Sequence, residues 1–455
     1  MHGAATTEIA VPASPAQRKF WQLHREHPRT NADNLVGSLE LPDAADLSIV
    51  CAAMKAVIRR HEVLRTKFDL VGGTLVQFIA PEVPFEAAEI RLGGTPDHVA
   101  PDAHQTDLLR DMLDRPFDFG RAPAVRAALV CFTGSATRIA VIVTNHAIAD
   151  GWSFGLVQHE FRDVVDALCR GTEPRLQPVK QFRQVAAERS PERPDIARQL
   201  AYWTNQLAGV RTTLPVRTRQ DRAKVSREDL RDQPLALDGG SWDQLVRMQR
   251  SVRASLPMLY TSALAASLIA RPSQELVIGT VYSSRRPVEN EHVVGLLVNV
   301  LPLRISVDRS TTVRGLIDRV RQVTLEAYAH ADVPMDHVTS SLGFGRPVLG
   351  GGPPLWEAAI NITPGPATPS MKQVSSGFSQ WLWSIRSRPS MECWDGRILE
   401  LITLGSLPHQ GVIRYNSAIL PPQQGALVAT KIITFLRELP ANLDQPVNRL
   451  FSVGA

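Results

Sequence analysis

The chain has 455 residues, 44% of them hydrophobic and 21% charged, enough apolar content for a large core in more than one domain, which excludes a disordered polypeptide. Its 50 basic and 45 acidic residues leave a net charge of +5, and the basic residues are dispersed, with local density only at 217–227 and at Arg285-Arg286; a nucleic-acid-binding module is therefore not expected. Four cysteines without Cys-x-x-Cys spacing, no basic start ahead of an apolar run in residues 1–14, and no stretch of membrane-spanning length together predict a cytoplasmic protein, neither secreted nor inserted in a membrane.

Residues 35–41 predict a strand, and Asp43 is placed to cap a helix with apolar positions Leu47, Val50, Cys51, Met54, Val57 and Ile58. A hairpin is expected from residues 64–70 and 74–79, turning at Gly72-Gly73. Residues 123–132 and 138–143 predict another strand pair, the second member being a β-branched run. Phe154, Val157, Phe161, Val164 and Val165 then follow helical spacing. Residues 170–194 turn polar and proline-bearing, which predicts a linker. Beyond it, 258–270 reads as an apolar helix, 275–282 and 298–307 as strands, and Val313, Leu316, Ile317, Val320, Thr324 and Ala327 as one helix face. Residues 343–352 and 363–377 read as loops, 398–403 and 411–416 as strands, and 423–438 as a closing helix. Periodicity by itself establishes a mixed α/β chain.

The segment Thr144-Asn145-His146-Ala147-Ile148-Ala149-Asp150-Gly151-Trp152-Ser153 lies between the strand at 138–143 and the helix that follows. It sets an imidazole on a connecting loop, where it can take a proton from an attacking amine or alcohol. Asp150 stands too close in the chain to act as an independent acid without a tight loop, so a buried ion pair that fixes the loop is its expected job. Gly151 suits a sharp turn or a positive φ. Taken alone, a His-x-x-x-Asp spacing also fits a capping or surface histidine.

The segment resembles the His-His-x-x-x-Asp-Gly signature of condensation domains of nonribosomal peptide synthesis, members of the chloramphenicol-acetyltransferase-like acyltransferases. Other segments match in order: Ser14 to Trp21, Arg60 to Phe68, Tyr202-Trp203 with Leu207-Ala208-Gly209, Ile278-Gly279-Thr280 through Arg285, Gly295 to Arg304, and His330 to Asp336. The resemblance implies an α/β (α+β) fold of two acetyltransferase-like lobes in a V-shaped pseudo-dimer with the active-site tunnel between them, here residues 1–172 and 173–455. It implies His146 as the catalytic residue, Asp150 and Arg285 as a structural ion pair, and Trp152, Ser153, Asn299 and His330 as candidates for the tunnel wall. This chain departs from the signature at Asn145, which replaces the first histidine but can still hold the loop by hydrogen bonds.

Plainer accounts stand beside several of these assignments. Arg285 also fits an exposed arginine in a basic loop. Asn299 fits a strand asparagine bonded to backbone, and His330 fits a helix end where it complements the dipole. Gly151-Trp152-Ser153-Phe154-Gly155 matches the Gly-x-Ser-x-Gly pattern, but a whole loop precedes Ser153, which is better placed as a helix cap than as a nucleophile. Metal binding is not expected: Asp163 follows His159, and Arg65 follows His61, where a second zinc-binding histidine would be needed. A Walker loop is missing, and Gly343-Phe344-Gly345 lacks the third spaced glycine of a dinucleotide site.

The expected activity is that of a freestanding condensation enzyme working in trans. It would move an acyl or peptidyl group from the phosphopantetheine thioester of a carrier protein to an amine or hydroxyl of a small-molecule or carrier-bound acceptor, giving an amide or an ester. No bound cofactor is expected. The mild positive charge is compatible with an acidic carrier, and equally with dispersed, solvated arginines. The competing expectations are a coenzyme A-dependent acyltransferase and a non-catalytic, condensation-like recruitment protein, the latter favoured by Asn145.

Overall fold

The computed structural model describes residues 8–31, 33–188, 194–210, 214, 229–285, 288–308, 310–344, 354–362, 376–386, 398–404 and 407–451. The basic stretch 217–227, Arg286, Cys393 and most of the loops expected at 343–352 and 363–377 lie outside them. The chain forms two compact units: residues 1–190, 285–297 and 365–393 make the first, and residues 191–284, 298–364 and 394–455 the second.

The first unit opens with β1 (Ile9–Pro12) and α1 (Pro15–Glu26). β2 (Asn34–Leu41) and α2 (Leu47–Arg60) follow, then the hairpin of β3 (Thr66–Val71) and β4 (Thr74–Ile79). Gly72 and Gly73 carry φ of 57° and 81°, the left-handed geometry that glycine adopts without a Cβ clash. Next come β5 (Ala88–Leu92), α3 (Ala103–Asp114), β6 (Val125–Phe132), β7 (Ser135–Asn145) and the long α4 (Gly151–Cys169). The segment expected to be a bare linker forms α5 (Phe182–Ala187), whose Phe182 and Val185 are buried in the first unit's core. Asp46, not Asp43, caps α2, its carboxylate accepting the Ile49 amide at 2.9 Å.

β7 is a central strand of the four-stranded sheet β2-β7-β6-β5, and both of its faces are covered. Ala140 and Ile142 pack in the core that holds α2 and α4, whereas Ile139, Val141 and Val143 pack with Leu109, Met112 and Leu113 of α3. This is why the 139–143 run is apolar at every position instead of alternating. α2 and α4 lie together over one face, where burying a side chain such as Phe161 contributes roughly 1.5–3 kcal/mol.

The second unit contains α6 (Pro194–Gln206), β8 (Leu230–Ala236), α7 (Gly239–Ser251), α8 (Leu256–Ser267), β9 (Ser273–Ser283), β10 (Val298–Asp308), α9 (Val313–Ala329), α10 (Met335–Ser341) and β11 (Ala358–Ile362). The chain then returns α11 (Ser376–Ile385) to the first unit, where Phe378, Leu382 and Ile385 join the core beside α3. β12 (Leu399–Leu404), β13 (Leu407–Asn416) and α12 (Pro422–Glu438) complete the second unit. Its six-stranded sheet runs β10-β9-β11-β12-β13-β8, with β11 parallel to both neighbours. The helix face read from 313–327 is buried as expected.

The division differs from one at residue 172. Residues 285–297 follow a second-unit strand in the chain but pack with the first unit, because Val293, Val294 and Leu297 enter its core. Among the described residues, no helix is long and apolar enough to cross a membrane.

Candidate active site

β7 ends at Asn145, and a short turn carries the chain to α4. The Ile148 and Ala149 amides both donate to the Asn145 carbonyl at 3.1 Å. The Asn145 side chain tightens the same turn, its Oδ1 accepting the Ala147 amide at 2.8 Å. Its Nδ2 donates to Asn34 Oδ1 at 3.3 Å and faces His24 Nε2 at 3.4 Å. Asn34, paired with Asn145 across β2 and β7, spends its own amide protons on the carbonyls of Leu113 and Arg115. Asparagine at 145 is thus a fully engaged shaping residue of the turn.

His146 occupies the first position after the strand. Its amide donates to the Asp33 carbonyl at 2.8 Å, and its ring lies parallel to Phe20, 11° between planes and 5.7 Å between centroids. Nδ1 is enclosed, while the residue as a whole is only half-buried. Burial holds the imidazole below the ordinary histidine range, opposed by the Asp150 charge and the nearby Ala149 backbone. The ring is accordingly neutral at pH 7 and able to accept a proton.

Asp150 closes the turn and begins the helix as its N-cap, Oδ1 accepting the Ser153 amide at 2.8 Å. The carboxylate is fully buried and shared with Arg285, whose Nη1 donates to Oδ2 at 2.9 Å and Nη2 to Oδ1 at 2.8 Å. The Leu297 amide adds a donor to Oδ2 at 2.9 Å. A buried charge survives only with such compensation, and the planar guanidinium supplies it in a fork that lysine cannot match. Both partners belong to the first unit.

Ser153 is not the helix cap but stands inside the first turn. Its hydroxyl donates to the Gly295 carbonyl at 2.7 Å and accepts from the Gly295 amide at 2.9 Å and from Arg285 Nη2 at 2.6 Å. A hydroxyl so committed is a structural tie. Gly151 opens α4 in helical geometry and is not one of the chain's left-handed glycines, so no positive φ is needed there. The half-buried Trp152 donates through Nε1 to the Glu291 carbonyl at 2.8 Å. Asn145, His146, Asp150, Gly151, Trp152, Ser153 and Arg285 therefore form one constellation around the turn.

Asn299 and His330 belong to the second unit, and their contacts are internal to it. Asn299 Nδ2 donates to the carbonyls of Ala331 and Val333 at 3.0 and 2.8 Å. The His330 ring stacks on Tyr202 at 3.7 Å, and its Nδ1 meets the Glu326 carbonyl at 2.8 Å at the end of α9. Both side chains brace the 330–334 segment. Sequence reading missed Phe20, His24 and Asn34. The spacing of Phe20 and His24 on one helix face was the available signal; what that face touches was not. Among the described residues, no group of three or more His, Cys, Asp or Glu could hold a metal ion.

The mixed α/β fold is that of two chloramphenicol-acetyltransferase-like lobes. The condensation-domain family model matches residues 7–347, and the chain belongs to that family. One of the linear gramicidin synthase proteins of Brevibacillus parabrevis is 31% identical over 346 residues, covering 74% of this chain and 7% of that protein. Cyclosporin synthetase of Tolypocladium inflatum is likewise 31% identical over 346 residues, covering 74% of this chain and 2% of that protein. The chain thus spans a small part of the length of such relatives. Among solved structures, the X-domain from teicoplanin biosynthesis superimposes with a TM-score of 0.74 at 22% identity, covering 98% of each chain, and has also been solved in complex with OxyB. A variant of the starter condensation domain of rhizomide synthetase RzmA, in complex with C8-CoA, gives a TM-score of 0.76 at 20% identity over 97% of each chain.

Proposed function

We propose that this chain condenses an acyl or peptidyl group, delivered as the phosphopantetheine thioester of a separate carrier protein, with an amine or hydroxyl acceptor. The observation that carries the reading is the neutral, half-buried His146 imidazole on a turn clamped by the buried Asp150–Arg285 pair. The acceptor nitrogen or oxygen attacks the thioester carbonyl, the new C–N or C–O bond forms as the C–S bond breaks, and the acceptor's proton passes through His146 Nε2 to the departing thiolate. A thioester is already activated, so the reaction needs neither nucleotide nor resident cofactor. Holding the reactants in register can supply up to roughly 7–11 kcal/mol of the acceleration, and proton transfer by His146 about 10²–10⁴-fold more. The free thiols Cys51, Cys131 and Cys169 suit a reducing, cytoplasmic setting for this work.

The test is intact-protein mass spectrometry of an acyl-loaded carrier, added as a separate polypeptide with an acceptor amine, in the presence of wild-type protein or His146→Ala. Loss of the acyl mass with wild type and its retention with the variant supports the reading. Equal loss in both overturns the role of His146, and preference for acyl-coenzyme A over acyl-carrier would assign the donor to coenzyme A instead. A second reading, recruitment of a partner enzyme without transfer, is favoured by Asn145 at the signature's first position; it predicts carrier binding with no acyl loss.

A further inference from the structure

Two side chains of α1, both outside the signature, touch the reactive turn. Phe20 lies parallel to the His146 ring, and His24, one helical turn later, faces the Asn145 amide. We propose that Phe20 and His24 are positioning residues for His146: Phe20 sets the plane of the ring, and His24 holds Asn145, which shapes the turn that presents it. The inference rests on the proposed catalytic use of His146 only for its consequence in turnover; the geometry stands without it.

α1 is anchored independently of the turn it supports. Ser14 and Gln17 form a reciprocal capping box, the buried Gln17 donates to Gln77 Oε1 at 2.9 Å, and the Ala13 amide donates to the Leu75 carbonyl. The helix is thereby tied to β4, and a rigid element carries the two contacts. An offset parallel ring pair is a favoured aromatic arrangement, and here it limits rotation of the imidazole.

The polarity of the second contact follows from its neighbours. Ala147 donates to Asn145 Oδ1, so the Asn145 Nδ2 side must face acceptors. Asn34 Oδ1 is one, because the Asn34 amide nitrogen is already donating elsewhere. His24 Nε2 is the other, which requires a lone pair there and puts the neutral ring's proton on Nδ1. Burial keeps His24 in that form, its pKa lowered to about 4, and the Phe119 ring at 4.4 Å covers it. The imidazole missing at position 145 is thus matched by one at 24 that completes the hydrogen bonding of Asn145.

The experiment follows the ring, not the reaction. In ¹⁵N-histidine spectra the His146 ring signals are identified by their loss in His146→Ala. Phe20→Leu and His24→Leu keep apolar volume but remove the ring and the acceptor, respectively; each is expected to shift those signals and to raise severalfold the rate at which diethyl pyrocarbonate modifies His146. Phe20→Tyr restores a ring and His24→Gln restores an acceptor oxygen, and both are expected to return signals and reactivity to wild type. With an acyl-loaded carrier, the leucine variants are expected to lower kcat about 10- to 100-fold with KM unchanged. Unshifted signals and wild-type reactivity in both leucine variants overturn the proposal, as do changes of equal size in the leucine and the restoring variants. If His146→Ala still condenses, the catalytic reading falls while the ring measurements decide positioning separately.

Discussion

Arg285 and Asp150 share one buried bidentate contact, with Arg285 Nη1 on Oδ2 and Nη2 on Oδ1, and the same carboxylate caps the helix that follows the reactive turn. One ion pair therefore sets the direction of α4, the closure of the turn and the docking of residues 285–297. Removing either partner leaves the other charged and enclosed. Asp150→Asn and Arg285→Ala are each expected to cost about 3–5 kcal/mol in urea unfolding. A double Asp150→Asn, Arg285→Ala variant should lose less than the sum of the single changes. Additive losses would mean that the pair contributes nothing as a pair.

His146→Ala should leave the unfolding midpoint nearly unchanged, because the half-buried imidazole contributes little more than a stacking contact. Its turnover of an acyl-loaded carrier should fall by about 10²–10⁴-fold. Ser153→Ala separates the roles. It removes the acceptor of the Gly295 amide and the shortest contact of Arg285 Nη2, so stability should drop by about 1–3 kcal/mol, with no acylated serine on the wild-type protein in mass spectra.

Stability should depend on pH through His24. In the unfolded chain this ring takes up a proton near its ordinary value of 6.5, whereas in the folded protein it does so only near 4. Between those values the unfolded state binds more protons, so stability falls as pH falls, by about 1.4 kcal/mol per pH unit and on the order of 3 kcal/mol in all. His146, shifted in the same direction, adds to the slope. Chemical denaturation from pH 7 to pH 4 should show a shallower dependence in His24→Leu, and parallel curves would contradict the assignment.

Gly295 meets Phe182 so closely that a Cβ built there would lie 2.0 Å from Phe182 Cδ2. Gly295→Ala is expected to destabilise by about 1–3 kcal/mol. Adding Phe182→Leu should recover part of that loss, a pairing that thermal melts of the single and double variants can check.

The sequence revealed the strand, turn and helix around His146 because each has a strong local signal: an apolar run of strand length, a histidine and an aspartate close in the chain, and helical spacing after them. The buried face of α9 was readable for the same reason. Local signals did not distinguish Asp43 from Asp46 as the cap of α2, because both precede the helix and only its first turn decides. They also did not separate Asp150 from Ser153 as the cap of α4, because both residue types cap helices and both stand at its start. His24 and Asn145 are 121 residues apart, and no spacing rule joins them. Arg285 was matched to Asp150 by resemblance, but its chain position next to β9 pointed to the wrong unit.

Because residues 285–297 furnish the guanidinium, the Gly295 peptide groups and the Leu297 amide that enclose the start of α4, the first unit cannot mature in the order it is translated. A nascent chain that has emerged only as far as α5 still carries a naked aspartate at the foot of that helix. The clasp arrives after β9 has left the ribosome, so the turn bearing His146 is locked late, once much of the second unit has been made.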